Sequence, residues 1–160
     1  MRELVFSIEI NAPPQVVWNA LTDLPRFREW NPFIRRASGS TETGGTVRVR
    51  VRPSLAVPLF FHASVLESDE PHELRWRGHV LTSWIASGEH TFMLEPKEAG
   101  GVHFVQREVL TGLLPRIAPR LFERETRRGF EAMNRALKAR AEKAWSAQVR
   151  GAPGTGVALP

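Results

Sequence analysis

The hydrophobic period of this chain changes once, near residue 111. Before that point apolar side chains recur at every second position. Phe6, Ile8 and Ile10 alternate with Ser7 and Glu9, and Val47, Val49 and Val51 alternate with Arg48, Arg50 and Arg52. Period two describes strands with one buried face. After that point Phe130, Met133, Leu137, Ala141 and Ala144 recur at spacings of 3, 4, 4 and 3. This spacing predicts one amphipathic helix of about 25–30 residues, beginning near Pro115 and Pro119. A sheet of short-connected strands needs one face covered, and this helix carries the one long apolar stripe available.

The elements between follow from local signals. Strands are expected over 3–10, 46–52, 59–67, 73–79, 88–95 and 102–110. Pro13 and Pro14 suit the first turn of a short helix that carries Val16, Val17, Ala20 and Leu21. A second short helix over 25–30 ends where Pro32 biases Asn31 away from helical geometry. Residues 80–87 break the alternation and read as a loop. The Gly- and Pro-rich run from Ser146 has no period. The expectation is one domain over 1–145 and a flexible tail over 146–160.

Composition removes several chemistries. The chain has no cysteine, which excludes disulfides, thiolate nucleophiles and Cys-based zinc sites. Its five histidines lack metal-ligand spacing, so no metal and no cofactor are expected. No apolar run approaches the roughly 18–20 residues that cross a bilayer. The N-terminus reads as a strand rather than a signal peptide, which points to the cytoplasm. Lysine and arginine total 22 against 17 acidic residues, and the surplus lies between residues 112 and 150, with 10 basic and 4 acidic. That field suits a solvated helix face, an anionic partner or peripheral membrane contact. Nucleic acid is not expected, because the basic face carries no aromatic residue before Trp145.

Ile8-Glu9-Ile10-Asn11-Ala12-Pro13, Val17-Trp18-x-x-Leu21-Thr22-Asp23 and Phe27-x-x-Trp30-Asn31-Pro32-Phe33 stand in that order. Leu74–Gly78, Gly88-Glu89-His90-x-Phe92 and Gly129-Phe130-Glu131-x-Met133-Asn134-x-x-Leu137-Lys138 follow. With these motifs the chain resembles the SRPBCC (START-like) superfamily, in its polyketide cyclase/dehydrase-like branch. The resemblance spans residues 3 to about 143. It implies an α+β helix-grip fold: a seven-stranded curved antiparallel sheet wrapped around a long C-terminal helix, with two short helices after the first strand. It also implies a space for a hydrophobic small molecule between sheet and helix. It supplies no single catalytic motif.

The hairpin 88–110 offers the most specific chemistry. Centred near Ala99, it sets Leu94 opposite Phe104, Phe92 opposite Gln106 and His90 opposite Glu108. The apolar members assign this side to the interior, carrying His90, Gln106 and Glu108 with them, whereas a bulge or one-residue slip would turn all three outward, the opposite side offering Met93, Val105 and Val109. A His–Glu pair there orients a ligand's polar end, performs acid–base work as in a cyclase or dehydratase, or is satisfied as structure. Trp30, Phe61, Trp76, Phe92, Phe104, Phe122 and Phe130 are candidates to line an aromatic pocket or simply to form the core. Thr126 would offer a hydroxyl to the ligand or to its own helix. Trp76 is the preferred cavity residue, because Gly78 beside it removes bulk on the same face, and Gly129 would make room for a ligand or for close helix–sheet packing. Trp84 and Ile85 on the loop suit a lid, a dimer contact or a membrane touch, and homodimerisation is compatible with every reading. The leading expectation is binding or transport of a lipid, quinone or polyketide-like molecule. The alternatives are a cyclase or dehydratase using His90 and Glu108, and a regulatory protein acting through its basic helix face.

Overall fold

Short connections leave each strand only an antiparallel neighbour, and the alternating segments pair accordingly. A computed structural model of the protein describes residues 2–52, 59–80 and 84–151, without the side chains of Val80, Leu114, Pro115, Leu121 and Phe122. The elements are β1 (Arg2–Ile10), α1 (Pro14–Thr22), a 3-10 turn (Leu24–Arg26), α2 (Phe27–Trp30), β2 (Ile34–Gly39), β3 (Thr46–Val51), β4 (Leu59–Asp69), β5 (Glu73–Val80), β6 (Ala86–Pro96), β7 (Val102–Thr111), α3 (Leu114–Ile117) and α4 (Pro119–Gly151). The strands form one sheet in the order β1-β7-β6-β5-β4-β3-β2, and β1 alone leaves chain order by closing onto β7. This is the helix-grip arrangement.

Alternation accounts for the sheet's two faces. Val47, Val49 and Val51 are buried against the core, whereas Arg48 and Arg52 face solvent. On α4 the stripe Phe130, Met133, Leu137 and Ala141 is buried, but Ala144 is exposed, as is every residue from Lys143 to Gly151. The helix is 33 residues long, longer than expected, and residues 146–151 continue it. Ala147, Gln148 and Arg150 hold helical geometry there by propensity rather than burial. The rest of the expected tail, 152–160, lies outside the described residues. Ladder pairing of Val80 with Ala86 likewise shortens the expected loop at 80–87, of which 81–83 lie outside the described residues.

Polar contacts pin the middle of α4. Lys138 Nζ donates to the Glu9 carbonyl at 2.7 Å, and Glu142 accepts from the Asn11 N–H at 2.8 Å. Arg140 lies 3.7 Å from Asp23 and 3.6 Å from Glu29. Hydrogen bonds from Lys97 and then His103 hold the Glu9 carboxyl below the ordinary 4.5, and the hydrogen bond and charge of Arg107 do the same for Glu3. Burial pushes Glu142 up, but Lys138 and the Asn11 N–H outweigh it, and its net shift is downward.

A carboxylate depressed on folding adds stability that is fully present above its unfolded value and is lost as pH falls through the folded one. The melting temperature is therefore expected to drop between about pH 5 and pH 3, and to drop less in Glu9→Gln. Circular dichroism melts check this. Equal drops in the two proteins would remove Glu9 from the account.

Candidate functional site

Cross-strand pairing arranges the inner face in rows. One row runs Leu74–Phe92–Gln106–Phe6, the next Val65–Trp76–His90–Glu108–Leu4, and the third Ala63–Gly78–Gly88–Leu110. The β6–β7 register is the one expected from the hairpin. Leu74, Phe92 and Gln106 in the first row are fully buried. His90 and Glu108 in the second are 6% and 8% exposed, and Gly88 and Leu110 in the third are half-buried. On the β6–β7 side the inner face is thus more accessible toward the end where β5 passes to β6 and β7 runs into α3, while Ala63, Gly78 and Ala86 stay buried there. The polar pair stands between the closed core and that end.

The pair is part of a chain of four side chains. His90 Nδ1 lies 2.8 Å from Glu108 Oε2, and His90 Nε2 lies 3.1 Å from Gln106 Oε1. The Gln106 amide N–H donates to Asn134 Oδ1 on α4. With its nitrogen turned to Asn134, Gln106 presents its oxygen to Nε2, so Nε2 carries a proton. The Nδ1–Oε2 contact then holds one more, either on an imidazolium facing a carboxylate or on Glu108 facing a neutral ring. The imidazole stacks on Phe92 at 4.0 Å and meets Phe130 at 4.7 Å and Trp76 at 6.0 Å. Apolar rings on these sides keep water from competing and strengthen each hydrogen bond.

Glycines shape the floor, and the chain's own groups occupy it. A Cβ at Gly88 would sit 2.0 Å from Glu108 Oε1, so glycine is what lets the carboxylate lie across β6. A Cβ at Gly78 would meet the Phe61 ring at 3.0 Å, and one at Gly129 would meet the Phe33 ring at 2.2 Å. Both glycines thus serve close packing of aromatic rings. Gly88→Ala is expected to push the Glu108 carboxylate off its place and cost about 1–3 kcal/mol by leaving a polar group poorly paired. Urea denaturation measures the loss, and stability equal to the parent's would contradict the contact.

Trp76, Phe92 and Phe130 surround His90, while Phe104 stacks behind Phe92 at 6.2 Å. Phe61 is half-buried over Gly78. Trp30 packs edge-on against Phe27 at 5.0 Å, and no ring contact joins it to the His90 cluster among the described residues. Its buried indole nitrogen has no hydrogen-bond partner among those residues. Thr126 is half-buried and makes no side-chain hydrogen bond among them. The side chain of Phe122 lies outside the described residues. Asn134, 3% exposed, is a member of the polar chain that the sequence reading passed over. Its signal was a poor helix former set in the apolar stripe, one turn after Phe130. Among the described residues no group of three His, Asp or Glu side chains is placed to hold a metal ion, and no helix is long and apolar enough to cross a membrane.

Comparison with known proteins extends these observations. No curated protein sequence matches the chain. Among solved structures it is similar to the Zhui aromatase/cyclase from Streptomyces sp. R1128, with a TM-score of 0.76 and 18% identity over 96% of this chain and 98% of that one. A protein from Thermus thermophilus gives a TM-score of 0.74 and 16% identity over 89% of this chain and 99% of that one. The di-domain ARO/CYC BexL from the BE-7585A biosynthetic pathway gives 0.68 and 14%, with 90% of this chain covering 50% of that one. At such identities the likeness establishes a shared fold. The sequence itself goes further: residues 1–142 match the family model described as polyketide cyclase / dehydrase and lipid transport, and the chain belongs to that family.

Proposed function

We propose that the protein binds a hydrophobic or aromatic small molecule between sheet and α4, with the ligand's polar end directed to His90 and Glu108. The observation that carries this reading is one connected polar chain set into an aromatic inner face, at the boundary where that face becomes accessible. Apolar ligand area leaving water at roughly 25 cal/mol per Å² would supply most of the affinity. The single polar station would set orientation and discriminate ligands, because an unmatched buried polar group is costly. Trp76, Phe92 and Phe130 are the rings placed to meet the ligand, with Phe61 nearer the accessible end. Phe104 backs Phe92 from the core, and Trp30, Phe122 and Thr126 remain candidates for the outer contacts. The family description and the aromatase/cyclase names among the structural relatives support a polyketide-like or lipid ligand.

A second reading, a cyclase or dehydratase, is favoured by the 2.8 Å His90–Glu108 contact. Loss of water from a β-hydroxy ketone needs one proton taken from carbon and one given to the departing hydroxyl. A pair that holds a single proton can perform both transfers and return to its starting state.

Native mass spectrometry of the freshly purified protein, set against its denatured mass, tests the binding reading. A small molecule released on denaturation is the expected result. If native and denatured masses agree, and a screen of lipids, quinones and aromatic polyketides yields no binder, the reading fails. With a ligand in hand, His90→Gln separates the two readings. Retained affinity with abolished turnover supports the enzyme, and affinity lost together with turnover makes His90 a binding group.

A further inference from the structure

The antiparallel order sends the connections to two opposite ends of the sheet. The β2–β3, β4–β5 and β6–β7 turns lie at one end. The exit of β3, the entry of β4, the β5–β6 connection, α3 and the start of α4 lie at the other. The ends differ in charge. The first exposes Glu42, Asp69, Glu70, Glu95 and Glu98. The second carries Arg50, Arg52, Arg116 and Arg120, and none of these has a carboxylate within ion-pair distance among the described residues. The glutamates nearby are already engaged. Glu123 meets Arg2 at 3.1 Å and Arg127 at 3.6 Å, and Glu125 meets Arg124 at 3.7 Å and Arg128 at 3.9 Å.

The basic end also gathers bulky apolar side chains in water. Phe60 is 66% exposed, Trp84 66%, Leu113 45% and Ile117 69%. They stand on the start of β4, the turn before β6, the β7–α3 connection and α3. The Leu113 N–H donates to the Trp84 carbonyl at 3.0 Å, and the Ile117 N–H to the Leu113 carbonyl at 3.0 Å, which ties three of the four into one rim. The Arg50 guanidinium lies over the Phe60 ring at 5.4 Å. Exposed apolar residues are ordinary singly, but several together at one end of a sheet mark an interaction surface.

We propose that this end docks onto an anionic lipid surface. Phe60, Trp84, Leu113 and Ile117 enter the headgroup region, and the four arginines meet lipid phosphates. A lipid surface fits better than a folded acidic partner. The apolar side chains rise from separate elements rather than from one helix face or one groove, and a fluid layer receives them without matching hollows. Tryptophan, aliphatic side chains and arginine together are the composition of a membrane interface. The acidic residues at the far end give the molecule a dipole that turns the basic end toward negative charge. The inner face becomes accessible at this same end, so docking would bring the ligand site to the lipid. That last consequence rests on the ligand-binding reading, whereas the docking itself does not.

Cosedimentation of the full chain, without added ligand, tests the proposal. Vesicles of about seven parts phosphatidylcholine to three parts phosphatidylglycerol are expected to bind it, and pure phosphatidylcholine to bind it far less. Arg116→Glu with Arg120→Glu should weaken binding at least about 25-fold. Trp84→Ser with Ile117→Ser should weaken it about tenfold or more. Brominated lipid should quench tryptophan emission in the parent and much less in Trp84→Phe. All the substitutions are on the surface, and circular dichroism confirms that each variant is folded. Absence of vesicle binding at low salt overturns the proposal. So does binding that both double variants retain, which would assign it to the basic face of α4. Binding lost on charge reversal but unchanged in the serine variant overturns insertion and favours an acidic protein surface. A failed ligand-binding reading would show in the mass spectra and leave the vesicle results untouched.

Discussion

His90→Leu is expected to lower stability by about 3–5 kcal/mol, and His90→Leu with Glu108→Leu to lower it by less than the single change. The single substitution leaves the Glu108 carboxylate on the inner face without its 2.8 Å partner. It also leaves the Gln106 oxygen facing leucine, fully buried and short of its donor. The double substitution removes the charge along with its partner and replaces both with apolar volume, which buried pairs often tolerate. Urea denaturation with unchanged m-values measures both quantities. Single losses that simply add in the double variant would mean that the two side chains do not depend on one another. The pair would then be an accident of proximity rather than a unit.

Phe92→Ala is expected to cost about 3–5 kcal/mol, the range for deleting a buried aromatic ring. For a chain of this length that corresponds to a fall of roughly 10 °C in melting temperature. The ring is fully buried, meets Trp76 at 5.0 Å and lies under the His90 imidazole. Its loss therefore removes core contact and the platform that orients the site. Nitrogen NMR of His90 should report a fixed proton arrangement in the parent and an averaged one in the variant. A stable Phe92→Ala protein with an unchanged His90 spectrum would show that the site is held from elsewhere.

The sheet was legible because alternation is a local signal. The inward set of the β6–β7 hairpin follows from pairing Phe92 with Gln106, and the hairpin connection sets that register. The polar chain was legible only as far as the sheet extends. His90, Gln106 and Glu108 share one face of neighbouring strands, whereas Asn134 joins them across 28 residues from Gln106. No period in the sequence states which helix turn meets which strand. The space beside Gly129 was read with two outcomes and packing chose between them, whereas the space read beside Gly78 is taken by the Phe61 ring. Phe33 and Phe61 come from distant segments, and their rings reach glycines that local sequence could only describe as small. The end of α4 was misjudged because propensity alone carries it past Ser146, where burial no longer contributes.

The β6–β7 ladder has a meaning for folding as well as for chemistry. If the two strands slipped by one residue, one of them would turn its entire inward set to solvent. A slip of β7 would bring Arg107 inward where Gln106 and Glu108 now stand, and would set His90 beside it or beside Val109. A slip of β6 would bring in Glu89 and Thr91 and expose Phe92. Either error places an unmatched charge or hydroxyl against the aromatic rings and strips the imidazole of its carboxylate. The polar residues of this hairpin thus also act as an address: they make its correct pairing the one arrangement in which every polar member finds its counterpart.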